Sequence, residues 1–394
     1  MKRKILYICY EDISGYNGAT RHITEIVRGL SRNGHRLDLC VPKLGKTSDG
    51  LAMGSNVRLR YIPTIPFRVV RPLSYLVISL FYLPWLYVRL NPDTVYVRDI
   101  KFTILPVLLS RLTNTPCVLE VNGLTDETVK VRQVAVWTFW ILDTFHRWNL
   151  RKAGHIITVT RGIKEEILRR YGISSKKISI INNGVDLTQF SPMDKKGAKK
   201  KVGLSQEYKY IGFVGGLFPW HGLDQLIEAA PHVLKNEPRA RFVIVGSGLM
   251  VSSLKEMISK LKLDQNFIFT GTVPFPMVPY YINSFHICVI FFKKVRKDPG
   301  DPIKLYEYLA CGRPVVASDV PGYGDVVHAA EAGISVNSED PITTAEAILK
   351  LLKDEEKGEI TGKKGFWKAQ KAFSWEKKVK ETEQIIETVI TRRM

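Results

Sequence analysis

The chain has few cysteines, and their spacing excludes the usual cysteine-based sites. Its 394 residues include five cysteines, with no Cys-x-x-Cys pair and no histidine at metal-ligand spacing. Isolated cysteines within apolar segments are typical of reduced core thiols rather than of disulfides, and they predict a cytoplasmic protein. The first apolar run, Ile5 to Tyr10, is too short for a signal peptide and predicts a core strand.

Several functional patterns are also missing. The sequence has no internal repeat, no low-complexity tract and no motif of a nucleic-acid-binding fold, so nucleic acid is not an expected partner. The turns Gly15-Tyr-Asn-Gly18 and Gly246-Ser-Gly248 lack the third glycine of a dinucleotide fingerprint, which disfavours a nicotinamide coenzyme. Neither an Asp-x-Asp pair nor the two-carboxylate arrangement of glycoside hydrolases is evident. We therefore expect no metal and no cofactor.

Positive charge is abundant and unevenly distributed. The formal net charge is +20, and residues 1–185 contribute +15 of it, with 28 lysines and arginines against 13 acidic residues. A basic first half predicts a polyanionic partner such as an acidic membrane surface or a pyrophosphate-bearing lipid. Simple solubility is the alternative, although it would spread the charge over both halves.

One uncharged segment, Pro72 to Val88, lies between Arg71 and Arg89 and is interrupted by Pro84. It is slightly short for a membrane span and leads directly into a predicted core strand. A buried helix and a helix lying in the membrane interface remain equally open, and both are favoured over a span. The interfacial alternative predicts a peripheral location on the inner face of the cell membrane.

Alternating strands and helices predict an α/β protein with two doubly wound parallel sheets. Residues 1–190 are predicted to form one Rossmann-like domain and residues 210–374 a second, with a central cleft between them. The lysine-rich, apolar-poor segment 191–209 is predicted to be the linker. The final helix, residues 375–394, is expected to pack back on the first domain.

A glycine-rich loop follows the predicted strand Tyr210–Val214. Gly215 and Gly216 allow backbone N–H groups to approach a ligand, and Gly222 opens the next helix, whose N-terminus favours a phosphate. His221 stands just before that helix and is expected to donate a hydrogen bond to the same phosphate. The alternative is a packing role against the neighbouring tryptophan.

The segment Asp301 to Asp319 predicts a loop, an amphipathic helix, a Gly-Arg-Pro break and a buried strand. Lys304 and Glu307 stand in the first turns of that helix. Such positions point into the crevice beyond the carboxyl ends of a parallel sheet, where α/β proteins bind phosphorylated ligands. A solvated i, i+3 ion pair is the alternative reading of the two residues.

Together these segments resemble glycosyltransferase family 4, the retaining nucleotide-sugar transferases of GT-B fold. The resemblance covers nearly the whole chain. The motifs that carry it are the loop Gly15–Gly18, the sequence Asn183-Gly-Val-Asp186 with Phe190-Ser-Pro192, the Val214-Gly-Gly turn, and Lys304-Leu-Tyr-Glu307-Tyr-Leu-Ala.

The resemblance implies a transfer of a sugar from a nucleoside diphosphate sugar to a glycan or lipid-linked acceptor, in the synthesis of a cell-surface polysaccharide or glycolipid. It places the donor on the second domain, with Glu307 on the ribose hydroxyls, and the acceptor on the first domain. The residues it assigns are His221, Lys304 and Asn122 to catalysis, Gly215, Gly216, Gly222, Glu307, Asp301 and Gly246 to the donor, and Gly15, Gly18 and Arg21 to the acceptor side.

The chain departs from the family pattern at three places. The position of the paired acid, eight residues before Glu307, is occupied by Pro299, and Asp298 and Asp301 are the candidates to replace that acid. The diphosphate-binding arginine and lysine fall at Gly216 and His221, and the histidine near the acceptor is Asn122. Two alternatives therefore stay open: a nucleotide-sugar epimerase on the same scaffold, and a catalytically silent module that binds a nucleotide sugar or a membrane.

Overall fold

The structure is a computed structural model that describes residues 2–15, 17–43, 53–67, 70–124, 136–293 and 300–392. The chain divides into two compact units. Unit 1 comprises Met1–Asn183 and Trp375–Met394, and unit 2 comprises Gly184–Ser374. Arg68, Asp298 and Pro299 lie outside the described residues.

Unit 1 contains a seven-stranded parallel sheet in the order β3-β2-β1-β4-β5-β6-β7. Its strands are β1 Lys4–Ile8, β2 Arg36–Lys43, β3 Val57–Pro63, β4 Thr94–Arg98, β5 Cys117–Val121, β6 His155–Thr158 and β7 Ile178–Ile180. Its described helices are α1 Gly18–Arg32, α2 Arg71–Leu90, α3 Leu105–Leu112, α4 Val136–Lys152, α5 Arg161–Tyr171 and, at the carboxyl end of the chain, Trp375–Thr391.

The central strands of unit 1 are buried on both faces, as their unbroken apolar runs predict. β1 pairs in register with β2 on one side and with β4 on the other, so that Ile5 faces both Leu37 and Thr94. The strand order reverses beside β1. A crevice for ligands is expected where such a reversal occurs, beyond the carboxyl ends of β1 and β4.

Unit 2 contains a six-stranded parallel sheet in the order β10-β9-β8-β11-β12-β13. Its strands are β8 Lys209–Val214, β9 Ala240–Val245, β10 Phe267–Gly271, β11 Ile287–Ile290, β12 Val315–Ser318 and β13 Gly333–Val336. Its described helices are α6 Lys195–Lys201, α7 Leu223–Asn236, α8 Val251–Lys260, α9 Val278–Ser284, α10 Ile303–Ala310, α11 Gly324–Ala329, α12 Pro341–Lys353 and α13 Glu355–Lys368; the last helix of unit 1, Trp375–Thr391, is therefore α14.

Helix α14 packs against α1 within unit 1. A Cβ built on Gly29 would lie 2.2 Å from a methyl group of Val379, so the absence of a side chain at Gly29 lets the two helices approach closely. Two further contacts hold α14 to unit 1, an ion pair of Arg3 with Glu387 at 2.6 Å and a contact of the His35 imidazole with Glu383 at 2.9 Å.

The predicted linker, residues 191–209, includes helix α6 and belongs to unit 2. Asp194 caps the helix by accepting from the Gly197 amide at 2.7 Å, and Ala198 is buried. Lys199 is buried too, and its ammonium donates a hydrogen bond to the Tyr208 carbonyl at 3.0 Å. The polar composition of residues 191–209 therefore does not reveal that this segment contains an ordered helix. The division between the units falls after Asn183 rather than at residue 190.

Helix α2 is apolar on two sides. One side is buried in the core of unit 1, and the other is exposed. Tyr75, Leu83 and Leu86 are fully buried, whereas Phe81 and Val88 are 78% and 80% exposed. The helix is long and apolar enough to cross a membrane by length and composition, which is weak grounds for a span. The buried side shows that α2 packs on the sheet along one face only.

Candidate functional site

Two glycine turns meet at the carboxyl ends of neighbouring strands β8 and β9. The Gly215 amide donates to the Val245 carbonyl at 2.9 Å, and the Leu217 amide donates to the Ser247 carbonyl at 3.0 Å. Gly215 and Gly246 have φ angles of 144° and 129°, which glycine adopts readily. A Cβ on Gly246 would lie 2.0 Å from the Gly215 carbonyl oxygen, so the two turns can pack only without side chains.

Lys304 lies directly over the Gly215 turn. The Tyr308 hydroxyl, one turn further along α10, accepts from the Val214 amide at 2.8 Å and fixes the helix to the end of β8. The Lys304 ammonium is 4.4 Å from the centroid of the Phe213 ring. A Cβ on Gly215 would be only 2.6 Å from Lys304 Nζ. The absent side chain therefore leaves the space that the lysine occupies.

His221 is part of the same cluster, in an orientation that differs from the predicted one. Its Nδ1 donates to the Gly216 carbonyl, because a carbonyl can only accept. Its Nε2 lies 3.4 Å from Lys304 Nζ. The imidazole thus orients the lysine and closes the loop, and only its Nε2 edge is directed toward the place where a phosphate is predicted to bind.

The N-terminus of α7 lies beside this cluster. Leu223 begins the helix after Gly222, whose φ is 57° and which has no side chain of its own to cap the first-turn amides. Asp224 stands in that first turn and pairs with Lys293, which follows β11. The pairing offsets the negative charge that would oppose an anion here. Lys293 belongs to no recognisable motif and is not among the residues predicted from the sequence.

Not every amide of the loop is available to a ligand. The Gly215, Leu217 and His221 amides all donate within the protein. Within the described residues the Gly216 amide has no such acceptor. The loop therefore offers Gly216 and the first turn of α7 to an anion, which is a smaller set of donors than the glycine pattern predicts.

Glu307 in α10 and Asp301 in the preceding loop have different surroundings. Glu307, one turn beyond Lys304, is 8% exposed and raises the pKa of the lysine through its charge. Asp301 accepts a hydrogen bond from the Tyr306 hydroxyl and so helps to fix the loop before α10. Pro299 and Asp298, which the sequence places beside it, lie outside the described residues.

These side chains converge at the switch point of the second sheet. The strand order reverses between β8 and β11, and the glycine turn follows β8 while Lys293 follows β11. Open α/β sheets bind their ligands at this position. The structure therefore brings together in unit 2 the predicted residues His221, Lys304, Gly215, Gly216, Gly222, Glu307 and Gly246.

Burial lowers the pKa of Lys304 to about 7, and the charge of Glu307 only partly opposes that effect. A diphosphate binds the ammonium form, so above pH 7 the site must take up a proton to bind it. We expect the dissociation constant of a nucleoside diphosphate to rise about fivefold between pH 7 and pH 8, by one-proton linkage. Isothermal titration calorimetry at several pH values measures this, and a constant affinity from pH 7 to pH 9 would contradict it.

Unit 1 places the predicted acceptor-side residues at its own switch point. Asn17 caps α1 by accepting from the Thr20 amide at 2.9 Å, which starts the helix at Gly18, whereas the apolar spacing of the sequence predicts a helix only from His22 to Arg32. Gly15 is in the preceding loop, beyond the end of β1. Arg21 extends from the first turn of α1 and pairs with Glu25 at 3.3 Å.

A buried polar network lies under this loop. Glu120 is fully buried and accepts from Arg98 at 2.8 Å, from the Tyr96 hydroxyl at 2.6 Å and from the Asn122 amide at 2.7 Å. His22 Nε2 also lies 2.9 Å from Glu120. Together, His22 and Arg98 hold the pKa of Glu120 well below its usual range, against the opposing effect of its burial. The Glu120 carboxylate, which is not among the predicted site residues, thus orients Asn122.

Two family descriptions match the chain, one for each unit. The one described as Glycosyltransferase Family 4 matches residues 16–189, and the one described as Glycosyl transferases group 1 matches residues 194–366. Only 1–15, 190–193 and 367–394 fall outside the two matches. The family predicted from the sequence motifs is therefore confirmed.

Curated relatives and solved structures agree with these matches. A GDP-mannose-dependent monoacylated alpha-(1-6)-phosphatidylinositol monomannoside mannosyltransferase of Corynebacterium glutamicum is 30% identical over 60% of this chain, and the alignment spans 64% of that protein. An Escherichia coli UDP-Gal:alpha-D-GlcNAc-diphosphoundecaprenol alpha-1,3-galactosyltransferase is 26% identical over 66% of this chain and 67% of its own length.

The fold has solved counterparts. HepE of Anabaena, crystallised with UDP and glucose, superimposes with a TM-score of 0.78 over 98% of this chain and 100% of its own, at 17% identity. Such a likeness concerns the fold, and it confirms the predicted architecture of two parallel α/β sheets. The chain belongs to the family 4 glycosyltransferases and has the GT-B fold.

Proposed function

We propose that this glycosyltransferase uses a nucleoside diphosphate sugar as donor and transfers the sugar, with retention of configuration, to a lipid-linked or glycan acceptor. The observation that carries the proposal is the Lys304 ammonium held over the Gly215 turn at the switch point of the second sheet. Glu307 follows one helical turn later, at the position that the family motif gives to the ribose hydroxyls.

The chemistry of the site fits the departure of a nucleoside diphosphate. Cleavage of the sugar–phosphate bond leaves negative charge on the β-phosphate, and fixed donors stabilise that charge most effectively in a site shielded from water. Lys304 supplies a cation, while Gly216 and the first turn of α7 supply amides. Because these groups come from the protein, we expect transfer to be insensitive to chelators.

Two of the similar enzymes support a lipid-linked acceptor. The Corynebacterium relative is named for a phosphatidylinositol mannoside acceptor, and the Escherichia coli relative is named for a diphosphoundecaprenol acceptor. The two names also give different donors, GDP-mannose and UDP-galactose, so either base is a candidate. The five cysteines are buried free thiols, which supports a cytoplasmic location.

A two-stage experiment tests the proposal. Thermal shift and calorimetry against UDP, GDP and their sugars would identify the nucleotide, and the radiolabelled donor would then be offered with and without extracted membrane lipids. We expect label in a lipid or glycan product, with and without EDTA. Donor isomerisation without any acceptor would instead show an epimerase, and binding without turnover across the whole panel would show a silent module.

Replacing Glu307 with alanine tests the assignment of the ribose contact. We expect Glu307→Ala to weaken nucleotide binding roughly 10- to 100-fold, because hydrogen bonds to a charged group contribute about 1.5–3 kcal/mol. Calorimetry with the preferred nucleoside diphosphate measures the loss. Glu346→Ala on the surface of α12 is the control and should bind normally, and equal affinities for the two variants would remove Glu307 from the donor site.

A further inference from the structure

Helix α2 carries a continuous apolar stripe on its outer side. Its exposed members recur at intervals of three and four residues, which places them on one face of the helix. The stripe runs from residue 73 to residue 88, about 22 Å at the rise of an α-helix. Its members, with their exposed fractions, are Leu73 63%, Val77 48%, Leu80 47%, Phe81 78%, Trp85 44% and Val88 80%.

This stripe is not the usual outer surface of a packed helix. Residues 72–88 contain no charged side chain, so α2 is apolar both where it faces the sheet and where it faces outward. Helix α3 packs beside α2, and α4 packs beside α3. Each of these two helices also exposes a large apolar side chain, Leu112 at 73% and Trp140 at 68%. An apolar surface of this extent indicates an interaction site.

A basic cavity lies at the carboxyl end of the stripe. It has a volume of about 150 Å³, and its lining includes Lys4, Arg36 and Arg89. Asp38, the acidic residue in its wall, is paired with Arg60 at 2.8 Å, so its charge is already balanced. The guanidinium of Arg89 lies 4.9 Å from the ring of Trp85, which connects the cavity to the stripe.

We propose that the outer face of α2 docks on an anionic phospholipid bilayer, with a lipid phosphate held by the cavity of Lys4, Arg36 and Arg89. Apolar and aromatic side chains on the outer face can enter the membrane interface, while the other face of α2 packs on the protein, and cations at the two ends of the helix can bind anionic headgroups. Arg71 provides the cation at the other end. A second copy of this chain fits less well, because its own net charge of +20 would repel the cationic rim.

The test uses the full chain and vesicle sedimentation. Vesicles of phosphatidylcholine alone are compared with vesicles containing one-third phosphatidylglycerol. The stripe variant is Phe81→Ser/Trp85→Ser/Val88→Ser, and the cavity variant is Arg36→Gln/Arg89→Gln. The controls replace three exposed apolar residues of unit 2, in Leu249→Ser/Ile342→Ser/Ile360→Ser, or neutralise two of its exposed lysines, in Lys350→Gln/Lys353→Gln. Nucleotide affinity in solution is measured for every variant and should not change, which separates this proposal from the proposed function.

We expect the wild-type chain to prefer the anionic vesicles at least tenfold and to lose that preference in 1 M salt, since salt screens attraction to the charged surface. The stripe variant should lose binding to both kinds of vesicle at least tenfold. The cavity variant should lose only the preference for the anionic ones. The proposal is overturned if the stripe variant binds like its control, if binding resists both salt and alkaline extraction as a spanning helix would, or if the stripe variant instead abolishes a dimer.

Discussion

Replacing Lys304 with alanine is expected to lower kcat/KM for sugar transfer by a factor of about 10² to 10³. That factor corresponds to the roughly 2.7–4 kcal/mol that one well-placed donor contributes to stabilising a developing anion. The ammonium lies over the Gly215 turn and is positioned by His221 Nε2 at 3.4 Å. Steady-state kinetics with the donor and acceptor identified in the screen measures the effect.

A matched control distinguishes this effect from a general loss of charge. Lys350 is exposed on α12 of the same unit, and Lys350→Ala should transfer sugar at the wild-type rate. We also expect the Lys304→Ala variant to keep the wild-type unfolding temperature or exceed it, since burial disfavours the charged form of the lysine and its removal relieves that desolvation penalty. Transfer within threefold of wild type would show that the lysine is not part of the machinery.

The second large effect concerns stability in unit 1. Replacing Glu120 with alanine is expected to lower the free energy of unfolding by about 3–5 kcal/mol, because it leaves a buried cation without its partner. Arg98 is 9% exposed and pairs with Glu120 at 2.8 Å. The Tyr96 hydroxyl would lose its acceptor as well. Urea denaturation of the full chain measures the change.

Glu165 provides the comparison for this prediction. It also binds an arginine, Arg161, at 3.0 Å, but the two side chains are 64% and 84% exposed. Glu165→Ala should therefore change the free energy of unfolding by no more than about 1 kcal/mol. If Glu120→Ala were as mild as Glu165→Ala, the network under the acceptor-side loop would contribute little to unit 1.

The sequence predicts most of the strands because their apolar runs do not alternate. Val315–Ser318, for example, is buried on both faces of its sheet, and its composition alone indicates this. Strand β3 was missed for the opposite reason. It is an edge strand in which Arg58 and Arg60 alternate with apolar residues, so it lacks the unbroken apolar run that marks the other strands. The cap at Asn17 was also overlooked, which moved the predicted start of α1 by four residues.

The candidate donor site was predicted in part. The sequence predicts that Lys304 lies near the glycine turn, because both are expected at the carboxyl edge of one sheet. The sequence does not predict the ring orientation of His221, because that orientation depends on the direction of the Gly216 carbonyl. The network around Glu120 joins residues nearly a hundred positions apart. Its one signal is a glutamate within the apolar strand Cys117–Val121, since a buried carboxylate requires partners.

The most direct test of the Lys304 assignment compares two ligands against two proteins. Calorimetry would give the affinities of the preferred nucleoside diphosphate and of its monophosphate for wild type and for Lys304→Ala. If Lys304 holds the terminal phosphate, wild type should prefer the diphosphate by at least tenfold and the variant should bind both ligands almost equally. An undiminished preference in the variant would mean that the diphosphate lies elsewhere, and the proposed donor site would have to be abandoned.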